Sequence, residues 1–201
     1  MIPLVLVHGL WDRPRVFHRL IQALDQPQRD LLAPHLPHGL GDVPLRELAQ
    51  RLDEQIRHRF GTDTNVDLLG FSMGGIIGRI WLQDFGGAAR TRRFFSVGSP
   101  HQGTMTAQAI PRVLLAGAAD MKIGSQLLHH LHRRSNQLTP VECHSFFLPL
   151  GFDGVSRMEG CPSARIDSRD SCVDAPSIDV ASECLENHWQ SAETALMNGC
   201  F

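Results

Sequence analysis

Gly70-Phe71-Ser72-Met73-Gly74 sets a serine between two glycines, directly after the apolar run Val66-Asp67-Leu68-Leu69 and directly before Gly75-Ile76-Ile77-Gly78-Arg79-Ile80-Trp81-Leu82. A serine hydroxyl is a weak nucleophile. To attack a carbonyl it must be exposed, offered a base, and met by donors that stabilise the oxyanion formed. The G-x-S-x-G spacing answers the first need, because small residues let a strand turn sharply into a helix with the serine at the apex. The flanking runs read as that strand and that helix, so Ser72 is predicted to be a nucleophile rather than part of an ordinary glycine-rich turn. His8-Gly9-Leu10-Trp11 follows a second apolar run in the same way. An elbow of this kind draws its oxyanion hole from the amide after the nucleophile and an amide from a loop after another strand, which assigns the N–H groups of Met73 and Leu10.

The elements that must position these groups are legible up to residue 150. Apolar, β-branched runs alternate with helical periodicity, the signature of a parallel sheet covered by helices. Strands are predicted over 2–7, 66–71, 94–97 and 141–148. Helices are predicted over about 16–24, from Pro44 to near Gly61, over 74–82, and roughly over 107–115 and 123–134. Pro44 suits a first helical turn, where a missing amide proton costs nothing. Leu31-Leu32-Ala33 is a short apolar run leading into a loop rich in Pro, His and Gly. The fold class is therefore α/β, a mostly parallel sheet flanked by helices.

At 201 residues with 42% hydrophobic and 20% charged content, one domain with a substantial core is expected. A net charge of −2 carries no footprint for nucleic acid or an anionic membrane, so the expected partner is a small molecule. The apolar start, Met1 to His8, lacks the basic and cleavage regions of a signal peptide, and no run approaches the length of a membrane span. A cytoplasmic location is expected. The totals conceal a change near residue 150. Residues 1–150 hold twelve acids, sixteen basic residues and one cysteine, Cys143; residues 151–201 hold nine acids, three basic residues and four cysteines. Four cysteines suit a disulfide framework in a secreted domain but not in an intracellular enzyme. Two regions are thus expected: a core over 1–150, and an atypical, irregular segment over 151–201 with only a weak helix at 185–197.

Leu4-Val5-Leu6-Val7-His8-Gly9, Gly70-Phe71-Ser72-Met73-Gly74-Gly75 and Gly98-Ser99-Pro100-His101-Gln102-Gly103-Thr104 together resemble the lipase and esterase branch of the α/β-hydrolases, over residues 1 to about 150. The resemblance implies a Ser-Asp-His triad in that chain order, hydrolysis of carboxylic esters or lipid esters, and no cofactor or metal. It makes His101 a residue that shapes a loop beside the site, bonded to backbone rather than catalytic. Cys143 and His144 are read as packed or edge residues.

The resemblance also implies an acid just after the strand at 141–148, in a stretch like Asp-x-Met-Val-x-Pro-Gly-Trp, and a histidine further on, in a stretch like Val-Trp-Thr-His-Gln. Neither is written here. One reading keeps the chain as it stands, with Asp153 orienting His188 as base. A second places a frameshift before codon 151: shifted by one base, the codons of Gly151 to Gly160 permit Asp-Leu-Met-Val and Pro-Gly-Trp-Arg, and those of Cys172 to Ser177 permit Val-Trp-Thr-His-Gln. That frame also accounts for the cysteines, the charge reversal and the lost periodicity. A third reading is a catalytically silent member that binds a ligand or partner. An acyltransferase or thioesterase on the same elbow is a further alternative to ester hydrolysis.

Overall fold

The computed structural model describes residues 1–24, 27–104, 107, 115–147 and 163–165. Six strands, β1 (Leu4–Val7), β2 (Leu31–Leu32), β3 (Val66–Phe71), β4 (Thr91–Val97), β5 (Glu142–Phe147) and β6 (Ser163–Arg165), form one sheet in the order β2-β1-β3-β4-β5-β6. Every pairing is parallel. Helices α1 (His18–Ala23), α2 (Leu45–Phe60), α3 (Met73–Asp84), α4 (Ala116–Asp120) and α5 (Gln126–Arg133), with short 3-10 turns at Pro14–Phe17, Gly87–Arg90 and Ser135–Leu138, complete the described elements.

Period-two alternation along the strands splits the core in two. Val5, Val7, Leu68 and Phe94 point to one face, where they meet Leu48, Leu52 and Ile56 of α2 and Ile76, Ile77 and Ile80 of α3. Leu4, Leu6, Leu69, Phe95 and Val97 point to the other and meet Phe17, Leu20 and Leu24. Strands buried on both faces read as continuous apolar runs, which is why β1 and β3 stand out in the sequence. Val7 pairs with Gly70 and Gly70 with Ser96, so β1, β3 and β4 finish level with one another. The turns after all three therefore emerge at one edge, the carboxyl edge where open α/β sheets carry their sites.

Three elements differ from expectation for identifiable reasons. β4 starts at Thr91, three residues early, because Arg92 and Arg93 are strand residues whose charges are satisfied by Asp67 (2.6 Å) and Glu142 (2.9 Å); polar side chains there hide the strand from an apolar scan. α5 starts at Gln126 rather than 123, since Ser125 caps it by accepting the Leu128 N–H (3.2 Å). β6 extends the sheet past residue 150, where no strand was expected; three residues are too few to show alternation. The helix expected over 107–115 lies outside the described residues except for its ends, as does the weak helix at 185–197.

Asp84, at the end of α3, ties the helical layer together. Its side chain is 0% exposed and meets Arg46 of α2, His130 of α5 (2.9 Å) and Arg134 (2.9 Å). Burial pushes its carboxyl up, but His130 and Arg46 outweigh that and hold it below the usual carboxylate range. A group whose folded value is depressed stabilises the fold above its unfolded value, near pH 4, and loses that contribution as pH falls through the folded value. Urea titrations should therefore find Asp84→Asn less stable than the parent at pH 7, with the gap closing steadily below about pH 4; a gap independent of pH would refute the assignment.

Candidate active site

β3 leaves the sheet at Phe71, and the next residue breaks the backbone pattern. Ser72 has φ 53° and ψ −122°, one of two non-glycine residues with positive φ among those described. Such a conformation costs about 1–3 kcal/mol and persists only where the surroundings enforce it. Here the Ser72 N–H donates to the Val97 carbonyl at the end of β4 (2.8 Å), and its own carbonyl accepts from the Gly75 N–H (3.1 Å). Glycines make the close approach available. A Cβ on Gly74 would lie 2.0 Å from the Val7 carbonyl oxygen, and one on Gly70 would lie 2.4 Å from the Gly75 Cα. The elbow is thus wedged against the end of β1.

The segment following β1 faces it. A Cβ on Gly9 would stand 3.1 Å from the Ser72 Cβ, so the His8-Gly9-Leu10 loop abuts the nucleophile directly. The Leu10 N–H makes no hydrogen bond with any described residue. Met73 is the first residue of α3, where amides have no partner within the helix and carry the positive end of its dipole. Ser72, Leu10 and Met73 are therefore brought together at one end of the sheet.

His8 holds this loop. It is fully buried; its Nε2 accepts the Leu36 N–H (3.2 Å), which leaves Nδ1 to donate to the Gly9 carbonyl (3.0 Å). That pair of bonds requires the neutral imidazole. Burial, reinforced by His38 and His35, lowers its pKa and favours the same form. His35 stacks on His8 with ring centroids 6.0 Å apart.

His101 is buried and its Nε2 lies 2.6 Å from the Ser96 Oγ of β4, so it is pinned by a side-chain hydroxyl and not by backbone. Burial, followed by the nearby Arg79 and His132, drives its pKa well below the ordinary value, which keeps it uncharged in its loop. Cys143 is buried on β5, and His144, on the same inner strand, stacks on Phe95 (5.2 Å) while contacting Glu142 (3.0 Å), so both are packed residues. Asp153 and His188 lie outside the described residues. The Ser72 hydroxyl has no hydrogen-bond partner among the described residues. Sequence reasoning missed Asp12, whose carboxylate lies on the Ser72 side of Gly9; its only signal was an acid two residues past Leu10. Among the described residues, no cluster of three His, Cys, Asp or Glu side chains could hold a metal ion, and no helix is long and apolar enough to cross a membrane.

Comparison with known proteins agrees with this architecture. A model of the α/β hydrolase fold matches residues 2–131. Similar solved structures include the mature lipase BlEst2 of Bacillus licheniformis (20% identity, TM-score 0.53, 72% of this chain and 64% of that one). Phospholipase PlaB of Legionella pneumophila is similar at 14% identity (TM-score 0.56, 73% and 39%), and lipase B of Aspergillus fumigatus at 13% (TM-score 0.60, 74% and 37%). The chain thus spans between about a third and two thirds of the length of these proteins. No curated protein matches the sequence. With the matched stretch running from β1 to α5 and enclosing both the His8-Gly9 loop and the Ser72 elbow, the chain belongs to the α/β hydrolase fold family.

Proposed function

We propose that this chain is a serine hydrolase that cleaves carboxylic esters, of the lipase or esterase type, through an acyl-enzyme on Ser72. The observation that carries the reading is the strained backbone of Ser72 at the strand-to-helix junction, with the His8-Gly9 loop against its Cβ. Strain of this kind is kept where it serves to present a side chain. In the reaction, Ser72 Oγ attacks the ester carbonyl and the resulting oxyanion is held by the amides of Leu10 and Met73. The tetrahedral intermediate collapses with loss of the alcohol, and water then releases the acid. A histidine supported by an aspartate would take the serine proton and deliver it to the leaving alcohol. His188 and Asp153 fill those roles if the chain is used as written; the residues of the shifted frame fill them otherwise.

A fluorophosphonate reagent tests the nucleophile. Peptide mass analysis should find the adduct on Ser72, and p-nitrophenyl butyrate should be hydrolysed in preference to butyryl-CoA. Adduct on another residue would overturn the assignment, and preference for the thioester would favour an acyltransferase or thioesterase. The Ser72 hydroxyl, which has no hydrogen-bond partner among the described residues, also favours a second reading, a silent ligand-binding member. Native protein that neither labels nor hydrolyses, yet binds butyrate saturably, would establish that reading instead.

A further inference from the structure

The segment Leu10-Trp11-Asp12 is turned inside out relative to what burial of apolar surface would give. Trp11 is 70% exposed, and its indole N–H reaches the carbonyl of Leu40 (3.3 Å), which is itself 73% exposed. Asp12, next in sequence, is the residue that faces inward. A Cβ on Gly9 would lie 2.9 Å from Asp12 Oδ2 and 3.1 Å from Ser72 Cβ, so the carboxylate and the nucleophile flank one point. The inversion follows from the positive φ of Trp11 (62°), an uncommon conformation for a bulky residue. The loop thus exposes an indole and carries backbone strain, and a carboxylate comes to lie beside the serine.

Among the described residues that carboxylate has no structural employment. The 3-10 turn that follows, Pro14–Phe17, has no side-chain cap. Asp12 receives no hydrogen bond and forms no ion pair with any described residue. Burial raises its pKa and His38 only partly offsets this, as expected of a half-buried acid without donors. Half withdrawn from water and without a donor among the described residues, the carboxylate is free to accept a hydrogen bond from a ligand bound at the nucleophile.

Granting that Ser72 is the nucleophile, the geometry points to Asp12 as a specificity-determining residue that accepts a hydrogen bond from a free hydroxyl carried by the ester beside its scissile carbonyl. Partial esters of polyols have that chemistry. A bare carboxylate close to a developing oxyanion repels it, whereas a substrate O–H donated to Asp12 disperses the charge and satisfies the acceptor. Esters without such a donor leave both costs standing.

The test uses the full chain and two p-nitrophenyl methylphosphonates that differ only in a 2-hydroxyethyl or a 2-methoxyethyl arm. In each, Ser72 Oγ forms a bond to phosphorus, the bond to p-nitrophenolate breaks, and the serine proton passes to the buffer. Nitrophenolate release gives the rate and peptide mass gives the site. A hydrogen bond to a charged group predicts reaction with the hydroxyl reagent about tenfold faster or more. Asp12→Ala should bring the ratio to about one while still reacting with the methoxy reagent, and Asp12→Asn, which keeps a neutral acceptor, should give an intermediate ratio. If Asp12→Ala does not fold, a reduced ratio in Asp12→Asn alone supports the role. Equal rates in the parent, or a ratio unchanged by substitution, would overturn it. Failure of both reagents to modify Ser72 would instead remove the nucleophile assignment on which it rests.

Discussion

In a chain that carries its full triad, Ser72→Gly is expected to lower ester turnover by at least about 10³-fold while raising the stability of the fold by about 1 kcal/mol. The two effects have one origin. Ser72 holds φ 53°, a region where a Cβ is strained and glycine is at ease. Relief of about 1–3 kcal/mol of strain exceeds the 0.4–1 kcal/mol, roughly, that glycine's extra freedom in the unfolded chain takes back. The hydrogen bonds that hold the position are main-chain ones, Ser72 N–H to Val97 and Gly75 N–H to Ser72, so the substitution leaves them in place. Losing the hydroxyl removes the covalent route, leaving only binding and the oxyanion donors. Urea denaturation of the two proteins, with hydrolysis of p-nitrophenyl butyrate measured alongside, checks both halves. A Ser72→Gly protein that is less stable than the parent would mean that the elbow is not strained; one that keeps its turnover would mean that Ser72 is not the nucleophile.

The elbow was legible because its demands are local. A strand, a serine between glycines and a helix must follow one another in the chain, and each of Gly70 and Gly74 is explained by a single backbone approach. The parallel sheet was legible for a related reason, since β1 and β3 are buried on both faces and show as apolar runs, broken in β3 only by Asp67. What escaped depends on distant partners. Arg92 is a strand residue only because Asp67, across the sheet, accepts its guanidinium. His8 is fixed as a neutral acceptor by the Leu36 amide, supplied by a loop 28 residues on. Asp12 lies beside Ser72 where Trp11 adopts a conformation that no pattern of residue types announces. The triad acid and base were not legible, because the stretches in which the resemblance locates them are not written in the chain.

The segment after β5 is where the largest gain in activity is expected. Val97, at the end of β4, accepts the Ser72 N–H, and Phe146, on the adjacent β5, accepts the Gly98 N–H (2.8 Å), so the exit of β5 lies two strands from the elbow, with β4 between, at the same edge of the sheet. An acid just after β5 would therefore emerge on the nucleophile's side, and the histidine would follow it in the chain. Codons 151–160 and 172–177, shifted by one base, permit an aspartate and a histidine at those two places. A chain re-read in that frame from codon 151 is therefore expected to hydrolyse p-nitrophenyl butyrate at least about 10³-fold faster than the 201-residue chain, the difference between a triad and oxyanion donors alone. Its Ser72→Ala variant should fall back to the rate of the present chain. If the gene's nucleotide sequence encodes neither Asp-Leu-Met-Val nor Trp-Thr-His-Gln in the shifted frame, or if the re-read chain is no faster, the frameshift is refuted and the base must be sought in residues 151–201 as written, with His188 first among them.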